Sequence, residues 1–180
     1  ATEDGVIASP EPDWPQWRGP RRDGICGEQE LLDSWSASGP RVLWKFDQLG
    51  KGWSSPIIVA GRVFITGDIG DDLVIFALGR DGDVQWKTTN GRAWKGSFPG
   101  ARASCTFSDG RLYHLNAHGR LVCLDAQRGD EVWSDNILER FDGENITWAL
   151  SESVLVDGPR VIVTPGGTEA LMAALDKQDG

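Results

Sequence analysis

The stretch FALGRDGDVQW at residues 76–86 returns as VCLDAQRGDEVW at 122–133, and its first half returns again as AALDKQDG at 173–180. The glycine ahead of the last strand falls at Gly82, Gly129 and Gly180, steps of 47 and 51 residues. In both complete copies a tryptophan, Trp86 or Trp133, follows four positions later. A second segment repeats in phase: SPIIVAGRVFIT from Ser55, SCTFSDGRLYHLN from Ser104 and SVLVDGPRVIVT from Ser153, with its glycine at 61, 110 and 158. Two independent markers that keep one period identify a stacked array, each repeat being one supersecondary unit that buries its faces against its neighbours.

Within a period the pattern is that of strands. Runs of four to six residues rich in Val, Ile, Leu and Phe lie between Gly and Asp turns. The first strands read as 55–59, 104–107 and 153–156; the second as 62–66, 111–116 and 160–164; the third as 73–78, 120–124 and 171–175; the fourth carries the tryptophan. Gly82, Gly129 and Gly180 sit where a tight turn between third and fourth strands needs a positive φ. Four antiparallel strands in such a period make one β-propeller blade, so the fold class is all-β.

The organisation follows from the same phasing. Residues 1–40 form a lead-in. Residues 41–46 read as an orphan outer strand, because Trp44 stands 42 positions before Trp86. Blade 1 spans 53–87, blade 2 spans 102–134, and an incomplete blade 3 spans 151–180. About three blades do not close a ring, which implies the N-terminal part of a longer propeller. The other reading is a head-to-tail pair of chains in which each orphan strand completes the partner's third blade. Trp44, Trp86 and Trp133 are expected to dock between blades with their indole N–H bonded to backbone.

The remaining composition narrows function. The chain has 180 residues, 27 acidic against 18 basic side chains and a net charge of −9. It shows no basic patch for a phosphate backbone, so nucleic acid is not the expected partner. No apolar run approaches the ~20 residues of a membrane helix. The polar start at Ala1–Asp4, without an initiator Met, suits a secreted protein after signal removal, or equally a trimmed chain. Cys26, Cys105 and Cys123 match no zinc or redox spacing. Cys105 and Cys123 belong on first and third strands, about 9–10 Å apart and too far to bond. A GxSxG elbow, a phosphate loop and a dinucleotide fingerprint are all missing from the sequence.

Blade topology brings the lead-ins to first strands and the links between second and third strands to one face, around the channel. Those links hold the unusual residues: Lys51, Trp53, Arg102, Trp148, Ser151 and Glu152 in the lead-ins, and Asp68, Asp71, Asp72, His118 and Glu169 in the second-to-third links. Charged, aromatic and imidazole groups at one mouth form the candidate ligand face. Plainer roles compete: Arg102 with Glu152 reads as an inter-blade ion pair, and Trp53 and Trp148 as packing residues. His118 before Gly119 suits a turn. His114 aligns with Ile65 and Val163, which marks it as a hydrogen-bonded core residue. The aspartates near 68–72 lack the spacing of a calcium loop, and no metal ligand set emerges.

The ALDxxxGxxxW type of repeat resembles that of the PQQ-like (pyrroloquinoline-quinone-like) β-propeller superfamily, and the opening WPQWRGPRRDG at 14–24 resembles the start of secreted members. The superfamily holds quinoprotein dehydrogenases and outer-membrane assembly lipoproteins of the BamB type. The resemblance implies a ring of seven or eight blades and a periplasmic or extracellular location. It leaves two functions open. One is a non-catalytic scaffold for protein or peptide partners. The other is a dehydrogenase, for which it implies PQQ with Ca²⁺ held by Glu and Asn, an Asp base and often two adjacent cysteines. Cys105 has no neighbouring Cys, so the sequence departs from the second pattern and leans to binding.

Overall fold

A computed structural model describes residues 13–29 and 32–180. The start at Ala1–Asp4 lies outside the described residues. Blade 1 consists of β1 (Ile57–Val59), β2 (Arg62–Ile69), β3 (Asp72–Leu78) and β4 (Val84–Arg92), hydrogen-bonded in that order. Blade 2 repeats it with β5 (Thr106–Ser108), β6 (Arg111–Leu115), β7 (Arg120–Asp125) and β8 (Glu131–Asn136). A one-turn helix, α1 (Ile137–Arg140), follows, capped by the Asn136 side chain. Blade 3 has β9 (Leu155–Asp157), β10 (Arg160–Val163) and β11 (Ala173–Asp176). All pairings between these strands are antiparallel. The all-β architecture of stacked, mostly four-stranded blades is therefore observed.

The apolar runs are continuous because both faces of each central strand are covered. In β3, Leu73, Ile75 and Ala77 enter the core shared with blade 2, while Val74, Phe76 and Leu78 face the opposite way. In β7, Val122 and Leu124 meet blade 1, and Leu121 and Cys123 meet blade 3. The period-2 alternation of a strand thus lets a single run supply two inter-blade cores.

Two sets of contacts hold the blades in register. At the outer rim, each tryptophan docks on the glycine turn of the following blade. Trp44 Nε1 donates to Arg80 O at 2.6 Å, Trp86 Nε1 to Ala126 O at 3.1 Å and Trp133 Nε1 to Lys177 O at 3.1 Å. A Cβ at Gly82 would lie 2.7 Å from the Trp44 ring, and one at Gly129 only 2.6 Å from the Trp86 ring. Nearer the axis, Ser55 N donates to Ser104 Oγ and Ser104 N to Ser153 Oγ, each at 3.0 Å. The serine that opens every first strand is thus a link between blades.

Residues 41–46 differ from the expectation: they form no strand. Among the described residues no strand pairs with them. Phe46 packs on the Val74–Phe76–Leu78 face of blade 1 instead, its ring 5.6 Å from that of Phe76.

Candidate functional site

The lead-in forms a wall of the site. Trp14 N and O bond Ile58 O and N at 2.7 and 3.0 Å along the free edge of β1. Pro15 O accepts from Phe107 N on β5 at 2.8 Å. The Arg22 guanidinium donates to Ser153 O and Val154 O, at 3.2 and 2.6 Å, just ahead of β9. One short segment therefore crosses the axis-facing edges of all three blades.

Between this segment and the blades lies a cavity of about 360 Å³, lined by Trp17, Arg22, Trp53, Ser55, Arg102, Ser104, Ser151, Glu152 and Ser153. Of the expected ligand-face residues it unites Trp53, Arg102, Ser151 and Glu152. Glu152 Oε2 accepts from both the amide and the hydroxyl of Thr164, at 3.0 and 2.5 Å. Arg102 Nη2 donates to Ser97 O and Phe98 O, each at 2.6 Å, and its Nε is buried without a partner. The Arg102–Glu152 ion pair expected from the sequence is not formed. Carbonyl groups in the loop before Arg102 capture its guanidinium, and the facing threonine captures the carboxylate. Burial lowers the pKa of Arg22 despite the attraction of Glu152.

From Trp53 in the cavity wall runs a row of exposed rings. Trp53 and Phe98 stand 6.4 Å apart between centroids, and Phe98 and Trp148 5.8 Å apart. They are 65%, 61% and 56% exposed. Phe98 has φ +51° and Ala149, beside Trp148, has φ +63°, backbone that non-glycine residues adopt at a cost.

A second group lies beside blade 1. Asp68 is not in a link, as expected, but inside β2, because the strand runs on to a tight turn at Gly70–Asp71 and its backbone is held by Lys51 N and O at 3.0 and 2.7 Å. Gly67 permits this approach, since a Cβ there would strike Leu49 O. Asp68 Oδ2 accepts from Trp94 N at 2.9 Å, Oδ1 is buried without a partner, and burial raises the pKa of the carboxyl. Lys51 and Asp68 line a cavity of about 320 Å³, and His118 lines another of about 540 Å³ beside Trp94. His118 Nε2 lies 3.2 Å from Ala93 O, and its ring 5.5 Å from that of Trp94. Asp71 pairs with Lys95 at 2.6 Å. Glu169 is exposed, its amide bonded to Phe141 O, and lines none of these cavities. Trp17, Arg22 and Phe98 escaped the sequence reading: no repeat phases them, and only the clustering of Trp and Arg at 14–22 in an acidic chain hinted at them.

Blades with a tryptophan docked on the next glycine turn define a propeller of the PQQ-like class. The family model described as outer membrane protein assembly factor BamB matches residues 74–180, more than half of the chain, and the chain belongs to that family. Among curated proteins it is similar to quinohemoprotein alcohol dehydrogenase ADH-IIG of Pseudomonas putida, 28% identical over 138 residues covering 68% of this chain and 18% of that protein. Among solved structures it is similar to quinohemoprotein alcohol dehydrogenase from Comamonas testosteroni, with a TM-score of 0.65 and 22% identity, covering 97% of this chain and 27% of that one. BamB from Moraxella catarrhalis gives a TM-score of 0.52 at 17% identity, covering 75% of this chain and 36% of that one. The chain thus spans well under half the length of these relatives. The structural likenesses carry the fold alone.

The PQQ and Ca²⁺ implied by dehydrogenase relatives find an incomplete setting. Flat rings and guanidinium groups are present. Among the described residues, however, no three His, Cys, Asp or Glu side chains converge on a point that could hold a metal. Cys105 and Cys123 are separate, buried free thiols, and burial pushes Cys105 up to about 12. The described residues by themselves do not make that site.

Proposed function

We propose that this propeller segment is a non-catalytic binding module, working outside the cytoplasm and presenting its axis-side face to a protein or peptide partner. One observation carries the reading: the cavity's carboxylate and two of its four serine hydroxyls are engaged in the fold, while its aromatic surface is open. Glu152 Oε2 is held by Thr164, and the Ser104 and Ser153 hydroxyls accept backbone amides. No histidine lines the cavity to activate Ser55 or Ser151. The rings of Trp53, Phe98 and Trp148 are exposed, as recognition surfaces are and packing residues are not.

The similarity to a quinohemoprotein alcohol dehydrogenase supplies the competing reading, a PQQ-dependent dehydrogenase. Titrating the full-length protein with PQQ and Ca²⁺ while following Trp emission separates the two. The binding-module reading expects no saturable quenching beyond the optical absorption of PQQ. Saturable quenching that weakens in Trp148→Ala would overturn it in favour of the dehydrogenase.

A further inference from the structure

We infer that the partner is an extended, acidic peptide segment: alternate apolar side chains lie along the Trp53–Phe98–Trp148 row, and a carboxylate meets Arg22 and Arg102 in the cavity beside it. The inference rests on the binding-module reading and names the chemistry of what that site takes.

Spacing is the first argument. The ring centroids stand 6.4 and 5.8 Å apart. Side chains on one face of an extended chain repeat every two residues, about 6.7 Å. Three rings in a row therefore match successive same-face side chains of a strand, the arrangement by which pockets read an extended peptide.

The second argument is what holds the rings in place. Phe98 sits in left-handed backbone, and most of its ring surface faces solvent, so packing does not repay the strain. Arg102 fixes that turn by donating to the carbonyls of Ser97 and Phe98. The Trp53 indole is likewise anchored, Nε1 donating to Pro99 O at 3.3 Å. An exposed ring held rigid by strain and hydrogen bonds loses little freedom when a partner covers it.

Charge is the third. The molecule carries −9, yet two guanidinium groups and one carboxylate line this cavity. Arg22 Nη2 and Nε are bonded, to Ser153 O, Val154 O and Gln16 Oε1, and among the described residues its Nη1 has no hydrogen-bond partner. In Arg102, among the described residues, Nη2 alone is hydrogen-bonded; Nε is buried and unpartnered, and Nη1 has no partner. Donors held in place beside an aromatic row fit a carboxylate and disfavour a cation.

The test uses fluorescein-labelled hexapeptides and the full-length protein, read by fluorescence polarisation. The probe Asp-Asp-Phe-Ser-Phe-Ser is compared with Lys-Lys-Phe-Ser-Phe-Ser and with Asp-Asp-Ser-Ser-Ser-Ser. The expected result is saturable binding of the first, at least about tenfold weaker binding of the other two, and weakening with added salt. Trp148→Ala and Phe98→Gly, the latter keeping the left-handed backbone, should each weaken it about fivefold or more. Arg102→Gln supports the charge argument only if circular dichroism shows the fold intact. Equal binding of the lysine probe, no binding of the first probe, or binding of trigalacturonate in its place would each overturn the inference. Failure here with PQQ silent removes only the peptide assignment, whereas PQQ quenching removes the binding-module reading itself.

Discussion

His114 occupies a position that the other two repeats fill with Ile65 and Val163, and it is wholly buried. Its Nδ1 lies 2.9 Å from Asn90 Nδ2, which fixes it as an acceptor, and its Nε2 is buried without a partner. Burial pushes the imidazole down to about 4, so it is neutral in the folded chain at neutral pH. The unfolded chain takes up a proton near 6.5, which favours unfolding as pH falls from there towards 4. The loss should reach roughly 2–3 kcal/mol by pH 4.5. Denaturant midpoints at pH 7.5 and 4.5 check it: His114→Val, which copies Val163, should lose less stability between the two than the parent. Equal losses would assign the acid sensitivity to other groups. The core placement of His114 was legible from its alignment with two aliphatic residues. The role of Asn90, which lies outside the repeated motifs, was not.

At the scale of elements, the glycine turns and the tryptophans form one device. Gly129 has φ +77°, and a methyl group there would press into the Trp86 ring. Gly129→Ala should therefore cost about 2 kcal/mol or more, the sum of left-handed strain and displacement of the ring. Gly110→Ala, at similar φ but with nothing near its Cβ, should lose only the strain part. Thermal melts of the two variants separate backbone from packing; equal losses would mean that the docked ring yields freely. Ser104→Ala removes the acceptor of Ser55 N and should cost about 1 kcal/mol. The strands and the docking tryptophans were readable because their periodicity is local. The extension of β2 to Ile69 was missed because Gly67 and Asp68 look like a turn, and only the approach of the 49–51 backbone makes them strand.

At the scale of the molecule, the lead-in is the element that joins three blades without belonging to any. Its hydrogen bonds seal the free edges of β1 and β5, which would otherwise be open to foreign strands. Hydrogen exchange measures this directly: the amides of Ile58 and Phe107 should be protected in the parent and exchange much faster when residues 13–24 are deleted. Unchanged protection would show that the strap does not govern those edges. A four-stranded blade 3 would need a further strand beside β11, from continuing chain or from a second copy. Light scattering on the 180-residue chain tests the second source, with twice the chain mass expected for a paired ring.

The repeat, the blade and the docking tryptophans were determined by sequence alone, because each follows from short-range spacing repeated in phase. The site was determined only in part. Trp53, Arg102, Ser151 and Glu152 were nominated by topology and do share a cavity, while Asp68 and His118 line neighbouring ones and Glu169 stands apart. Tertiary structure alone decided that Arg22, 131 residues from Ser153, completes that cavity and that Arg102 holds Phe98 rather than Glu152. The physical reason is that these are choices among partners. A guanidinium bonds whichever carbonyl or carboxylate the packed chain brings within 3 Å, and no local pattern encodes which one that will be.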